Sequence, residues 1–354
     1  MPKLPLLLIF IFLFYHGFAK PNSDSTLIGR YDSAYLNLQN MLIQNGSFKD
    51  AVFTVENTYF QNALDKSKFD NPIHLLKGLC IEWAKVNKLK EYKFSDSIGF
   101  QKNFSIFKIL TDTTKIIDTK SIVYLHVPFR YDFYDFSGKI SWSNMFVSKL
   151  LITKKGNCHS LPYLYKILAD ELGATCWLSF APNHIYIKNR CQQAGWYNTE
   201  LTSGQFPIDA WIATSSYVPI DAIRNGIYMD TLSNQQSIAI CVLDLAKAYE
   251  FQTKNYTDSF ILKCCNLTLK YHSLNTQAML LKAETLKRIY EKEKKKNDTN
   301  AKATYKEMEQ LFVRLFELGY REMPDKMYMQ WLQSVVKQRN KYGNNKIKDA
   351  LSKH

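Results

Sequence analysis

Apolar and polar positions hold one period over a stretch of this chain and then change it, and the changes divide it. From residue 20 to about 120 the pattern is helical. Ser47 suits the N-cap of FKDAVFTVENTYF, and Pro72 opens IHLLKGLCIEWAKV, where Leu75, Leu76, Leu79 and Trp83 share one stripe. SIVYLHV at Ser121 to Val127 is short, apolar and β-branched, which predicts a strand. SWSNMFVSKLLITKKG returns to helix and stops at Gly156. From Cys158 to Leu172 the apolar residues Leu161, Leu164, Tyr165, Leu168 and Leu172 make a helical stripe, closed by Gly173 as C-cap. Pro162 falls in the first turn, where its missing N–H costs no hydrogen bond.

Three strand-like runs follow: TCWLSFA at Thr175 to Ala181, HIYIK at His184 to Lys188, and WYNTEL at Trp196 to Leu201. From about Ser237 everything is helical in pattern, around LDLAKAY, NYTDSFILKCCNLTLKYHSLN, TQAMLLKAETLKRIY, MEQLFVRLFELGY and DKMYMQWLQSVV. Serial helix pairs with small residues at contact positions resemble tetratricopeptide repeats, although the spacing is not a strict repeat and the usual Trp and Pro markers are absent. An irregular helical bundle fits the pattern equally. The mixed EKEKKKND run at Glu291 to Asp298 reads as a solvated helix end or linker.

The N-terminus stands apart. The apolar run Leu4 to Tyr15 after Lys3 is shorter than the ~20 residues that span a bilayer. It ends at Gly17-Phe18-Ala19, with small Gly17 and Ala19 at the positions a signal peptidase reads. The expectation is a leader over 1–19, cleaved after Ala19, and an exported chain with no membrane span after cleavage. The predicted division is then leader 1–19, helical region 20–120, α+β core 121–222, and helical region 235–354.

Composition adds exclusions. The chain has 354 residues, 46% hydrophobic and 22% charged, so it folds rather than staying disordered. Net charge is +14, but the basic residues are scattered and carry no nucleic-acid motif, so no nucleic-acid partner is expected. Seven cysteines (80, 158, 176, 191, 241, 264, 265) include no C-x-x-C, and no H-E-x-x-H occurs, so neither a metal nor another cofactor is expected. The odd total leaves at least one thiol unpaired within the chain, and a disulfide role for Cys191, Cys264 and Cys265 has no spacing signal.

Chemistry concentrates at Cys158. A thiol at a helix N-terminus meets the positive end of the helix dipole, which favours thiolate. That effect is worth ~0.3–1 kcal/mol, under one pKa unit, so a full-time nucleophile needs a base as well. His159 is adjacent in sequence and points elsewhere on a helix. A hairpin can supply the base. If HIYIK and WYNTEL pair symmetrically, Lys188 faces Trp196, Tyr186 faces Asn198, and His184 faces Glu200. The acid would fix the imidazole tautomer and favour its protonated form. A slip of two residues would instead put Asn198 in that role.

Gly156-Asn157-Cys158, a helix ending in Leu-Gly-Ala, a histidine strand and a Trp-led strand ending in an acid resemble the transglutaminase-like superfamily of papain-type fold. The resemblance covers about Ser121 to Tyr217. It implies an α+β core in which the helix-start cysteine packs on an antiparallel sheet, with Cys158 as nucleophile, His184 as base and Glu200, in place of the family's aspartate, as orienter. Glu is one methylene longer, so the strand spacing adjusts or the role passes to Asn198. Trp142 or Asn144 would be a side-chain oxyanion donor beside the Cys158 backbone N–H. The expected activity is a cofactor-free cysteine-dependent amide hydrolase or acyltransferase acting on a peptide or protein. The rival is a binding scaffold, with a silent core and a protein partner held on the C-terminal helices.

Overall fold

The computed structural model describes residues 24–89, 92–117, 120–338 and 340–351, so the expected leader over 1–19 lies outside the described residues. The protein mixes helix and sheet, with helices at both ends of the chain. The N-terminal helices are α1 (Asp24–Gln44), α2 (Phe48–Tyr59), α3 (Lys66–Val86) and α4 (Ser97–Thr111). Ser47 caps α2, its hydroxyl accepting from the Asp50 N–H at 3.2 Å. α3 starts earlier than the sequence suggested. Asp65 caps it by accepting from the Ser67 N–H, and Pro72 lies inside the helix. The buried stripe of α3 is accordingly Phe69, Ile73, Leu76 and Cys80, while Leu75 faces out.

Strands β1 (Thr114–Ile117) and β2 (Val123–His126) pair antiparallel, so the strand expected at 121–127 is shorter than its sequence run. β3 (Arg130–Tyr131) runs parallel to β4 (Lys155–Gly156). Between them the expected single helix is broken into a 3-10 turn at Trp142–Met145 and α5 (Val147–Thr153). The break has a cause: the buried Glu56 carboxylate accepts the Val147 and Ser148 N–H groups at 2.7 and 2.8 Å and starts a new helix there. Burial, partly offset by these bonds, pushes the Glu56 carboxyl up to about 7.

α6 (Ser160–Leu172) is the centre of the molecule. Every residue from Ser160 to Ala169 is buried, polar faces included. Its one lysine there, Lys166, reaches Asp170 at 3.1 Å. Gly173 closes α6 in the left-handed conformation at φ 62°. Next come β5 (Trp177–Ala181), β6 (His184–Cys191) and β7 (Gly195–Thr199), an antiparallel sheet in the order β5-β6-β7. Its register differs from the symmetric one. Arg190 faces Trp196 and Lys188 faces Asn198, because β6 continues to Cys191 and the turn is tighter than expected. β7 ends at Thr199 opposite Ile187, and Glu200, just beyond it, bridges Gln205 instead of pairing with His184.

Short helices α7 (Asp209–Ser215) and α8 (Ile220–Arg224) lead to α9 (Asn234–Thr253), which a Ser233–Gln236 capping box begins. α10 (Ser259–Tyr271), α11 (Thr276–Lys295), α12 (Ala301–Glu317), α13 (Asp325–Lys337) and α14 (Asn345–Leu351) complete the chain. α1 and α2 pack on α9, so the helices of the two ends meet. The charged run at 291–298 finishes α11 and the turn after it. All seven cysteines are free, and Cys264 and Cys265 are buried in packing. Among the described residues no helix is long and apolar enough to cross a membrane.

Candidate active site

The turn that carries Cys158 is built by its neighbours. Gly156 is held in the β3–β4 pair opposite Tyr131. A Cβ there would overlap Ser160 Oγ and come within 2.8 Å of Leu150 Cδ1, so only glycine fits. Asn157 is fully buried, and its Oδ1 accepts the N–H groups of His159 and Ser160 at 3.0 and 3.1 Å. Ser160 Oγ in return accepts the Asn157 N–H at 3.1 Å. This reciprocal cap occupies the first amides of α6 and leaves Cys158, partly exposed, at the mouth of the turn.

His184 arrives from a tight hairpin. Pro182 and the left-handed Asn183 (φ 58°) turn β5 into β6, and His184 is the first residue of the new strand. Its Nε2 meets Glu200 Oε2 at 2.6 Å, and its Nδ1 meets the Tyr328 hydroxyl at 3.1 Å. That hydroxyl donates to Cys158 Sγ at 3.2 Å. Glu200 Oε1 accepts the Thr202 N–H at 2.8 Å, so both carboxylate oxygens are held. His184 and Glu200 are each 3% exposed. The Trp331 ring stands edge-on to the imidazole, centroids 4.8 Å apart.

The electrostatics follow from this packing. Burial drives the imidazole towards its neutral form, but the Glu200 charge, with hydrogen bonding to Cys158 and Glu200, raises His184 to about 10. Burial likewise opposes ionisation of the thiol. It is outweighed by hydrogen bonding and charge from His184, and by hydrogen bonds from Tyr328 and the Ile185 N–H, so Cys158 is held below the ordinary thiol range. For Glu200, too, burial acts upward, and His184 and Thr202 pull its carboxyl below the usual value. The pattern favours thiolate, imidazolium and carboxylate in a row. The other cysteines are held up by burial, as at Cys80 and Cys176, each near 12.

Of the sequence-predicted residues, Cys158, His184 and Glu200 are brought together, and Asn198 is not. The Asn198 amide is buried and donates to Pro207 O at 3.0 Å and Asp209 Oδ1 at 2.7 Å, so it binds the loop after β7 and not the imidazole. His159 turns away from the thiol, with Nδ1 on Met145 O at 2.9 Å and Nε2 on Asp244 at 3.1 Å. Asn144 is a poor oxyanion donor, because its amide is committed to Asp135 O. Trp142 is better placed, with a buried indole N–H that has no partner on the wall of the Cys158 cavity.

Sequence reasoning missed Tyr328, which the amphipathic pattern of α13 marks only as a packing position. It also missed Tyr131, whose buried hydroxyl makes no hydrogen bond of ordinary geometry but interacts with both Cys158 and Tyr328.

Cys158 and His184 open on a cavity of about 260 Å3, walled by Phe136, Trp142, Phe180, Asn183, Tyr228 and residues of α9 and the α10–α11 turn. A larger cleft of about 820 Å3 is lined by Phe104, Phe107, Phe129 and Phe206, with Tyr131 and Thr202 also on its wall, but neither Cys158 nor His184 lines it. The thiol faces the smaller one, so the chemistry belongs there. No protein-family model, no curated protein and no solved structure matches this chain.

Proposed function

We propose that the protein is a cysteine-dependent amide hydrolase or acyltransferase acting on a peptide or protein, with no cofactor. The observation that carries the reading is the hydrogen-bonded row from Cys158 to Tyr328, His184 and Glu200 at the floor of a cavity. In this reading the Cys158 thiolate attacks a carbonyl carbon and forms the S–C bond. The carbonyl oxygen takes the displaced electron pair, facing the Cys158 backbone N–H and the Trp142 indole N–H. The C–N bond then breaks, and the imidazolium proton of His184 goes to the departing nitrogen. Water, or an amine in a transfer reaction, resolves the thioester with His184 as base and Cys158 as leaving group. Glu200 holds the imidazole in one tautomer throughout.

The likeness to the transglutaminase-like superfamily is part of the same proposal. It is supported by the order nucleophile, base, acid along the chain and by the Nδ1 edge of the imidazole facing the sulfur. The papain-type reading of the core, the repeat-like reading of α9 to α14 and an exported setting stand on the sequence arguments above. The enzyme reading is favoured over the scaffold reading by one point: α9 and the α10–α11 turn wall the cavity on which the thiol opens, where in this reading they would contact a substrate.

The test is alkylation of the purified chain by iodoacetamide across pH, with Cys158→Ser as reference, followed by acylation with p-nitrophenyl acetate. Cys158 is expected to react faster than every other cysteine, with its inflection below the ordinary ~8.5 of a free thiol, and to give a stoichiometric acyl burst. A Cys158 that titrates as a free thiol, or no burst, refutes the reading.

A further inference from the structure

We propose that Tyr328 is a catalytic residue, the fourth member of the site, whose hydroxyl holds the Cys158 thiolate and passes the thiol proton to His184. The inference rests on the cysteine-enzyme reading and deepens it: the tyrosine stands in the hydrogen-bonded row there, but the chemistry was given only to the nucleophile, base and acid. Beside the direct interaction of Cys158 with His184, the hydroxyl makes a second hydrogen-bonded link between sulfur and imidazole: it lies 3.2 Å from Sγ and 3.1 Å from Nδ1. It donates to one and is aligned to accept from the other.

The surroundings fix this geometry. Tyr328 is 3% exposed, its ring is stacked on Trp331 and tilted against Phe136, and α13 is tied back by the Trp331 Nε1–Ser215 Oγ hydrogen bond at 3.0 Å. The approach to the sulfur stays open, since Cys158 itself lines the cavity. Tyr328 therefore borders the thiol without sealing it.

The step balances simply. As the Cys158 S–H proton moves to Tyr328 Oη, the Tyr328 O–H proton moves to His184 Nδ1. The S–H bond and the old tyrosyl O–H bond break, a new O–H and a new N–H bond form, and thiolate and imidazolium result. The renewed hydroxyl donates to the thiolate until the sulfur spends its charge on the carbonyl carbon. Burial keeps the tyrosine neutral, and so a donor, at every working pH. Other titratable groups face this hydroxyl and sulfur: His184 from β6, Glu200 beyond β7, Tyr131 from β3, and His159 at the start of α6.

The experiment is Tyr328→Phe, which keeps the ring packing and removes one oxygen, with Tyr131→Phe/Tyr328→Phe in case the neighbouring hydroxyl takes over. Iodoacetamide alkylation of Cys158 is read across pH, beside the acyl burst and thermal unfolding. Loss of a hydrogen bond to a charged sulfur should move the alkylation inflection up by about one unit and slow alkylation at neutral pH about tenfold. The acyl burst should slow at least as much, with the unfolding temperature nearly unchanged. An unshifted inflection in both variants overturns the proposal. So does faster alkylation, which would make Tyr328 a cover over the thiol. Failure of the cysteine-enzyme reading shows in the wild-type chain, whereas failure of the tyrosine role shows only in the difference between wild type and variant.

Discussion

Glu200→Gln tests the electrostatic core of the site most directly. The substitution keeps the length and one acceptor of the side chain and deletes its charge. Opposite charges ~4 Å apart at an effective dielectric of ~20 attract by about 4 kcal/mol, or ~3 pKa units. That is the scale on which His184 is lifted from 6.5 to about 10. Without the carboxylate, burial governs the ring, and His184 becomes neutral at pH 7. Cys158 then loses its cationic neighbour, its inflection rises by about a unit or more, and alkylation at pH 7 falls about tenfold or more. Stability carries the same signature. The His184 contribution is whole below its ordinary 6.5 and is lost as pH rises through about 10. The Glu200 contribution is present above its ordinary 4.5 and is lost in acid. The gap in melting temperature between wild type and Glu200→Gln should be widest between about pH 4.5 and 6.5 and close as pH approaches 10. Equal alkylation profiles and a pH-independent gap would refute the reasoning.

Two further substitutions separate support from chemistry. Asn198→Ala removes the amide that ties β7 to Pro207 and Asp209, so urea unfolding should show a loss of about 1–3 kcal/mol while the Cys158 alkylation rate holds. A tenfold loss of alkylation would put Asn198 back in the catalytic row. Gly156→Ala forces a methyl against Ser160 Oγ and Leu150, so it should cost about 1–3 kcal/mol and slow Cys158 alkylation by displacing its turn; an unchanged rate would show that the turn tolerates the methyl.

The sequence revealed the parts of this site that local chemistry encodes. Pro162 and Gly173 bracket α6 by backbone preference, and Cys158, expected at its start, lies two residues ahead of its first residue, Ser160. The hairpin was legible in face but not in register. Strand alternation has a period of two, and the true register is shifted by two, so Glu200 stayed on the His184 face although it lies past the end of β7 and bridges Gln205. Turn length decides such shifts, and nothing in Asn189 to Gly195 announces that β6 runs on to Cys191. Asn198 shares that face as well, and only the loop that brings Asp209 beside it takes it out of contention. Pro72 misled because proline usually opens a helix, whereas Asp65 had already capped this one. Tyr328 had no local sign at all: 170 positions separate it from the sulfur it touches.

That separation has a consequence for how the protein comes into being. The thiol, the imidazole and the carboxylate are all synthesised well before α13, and N-terminal segments tend to fold first during synthesis. A growing chain therefore carries its nucleophile for some time before the last tyrosine can reach it. A chain shortened to end just ahead of Pro324 would keep that juvenile condition, with Cys158, His184 and Glu200 aboard and their phenol absent.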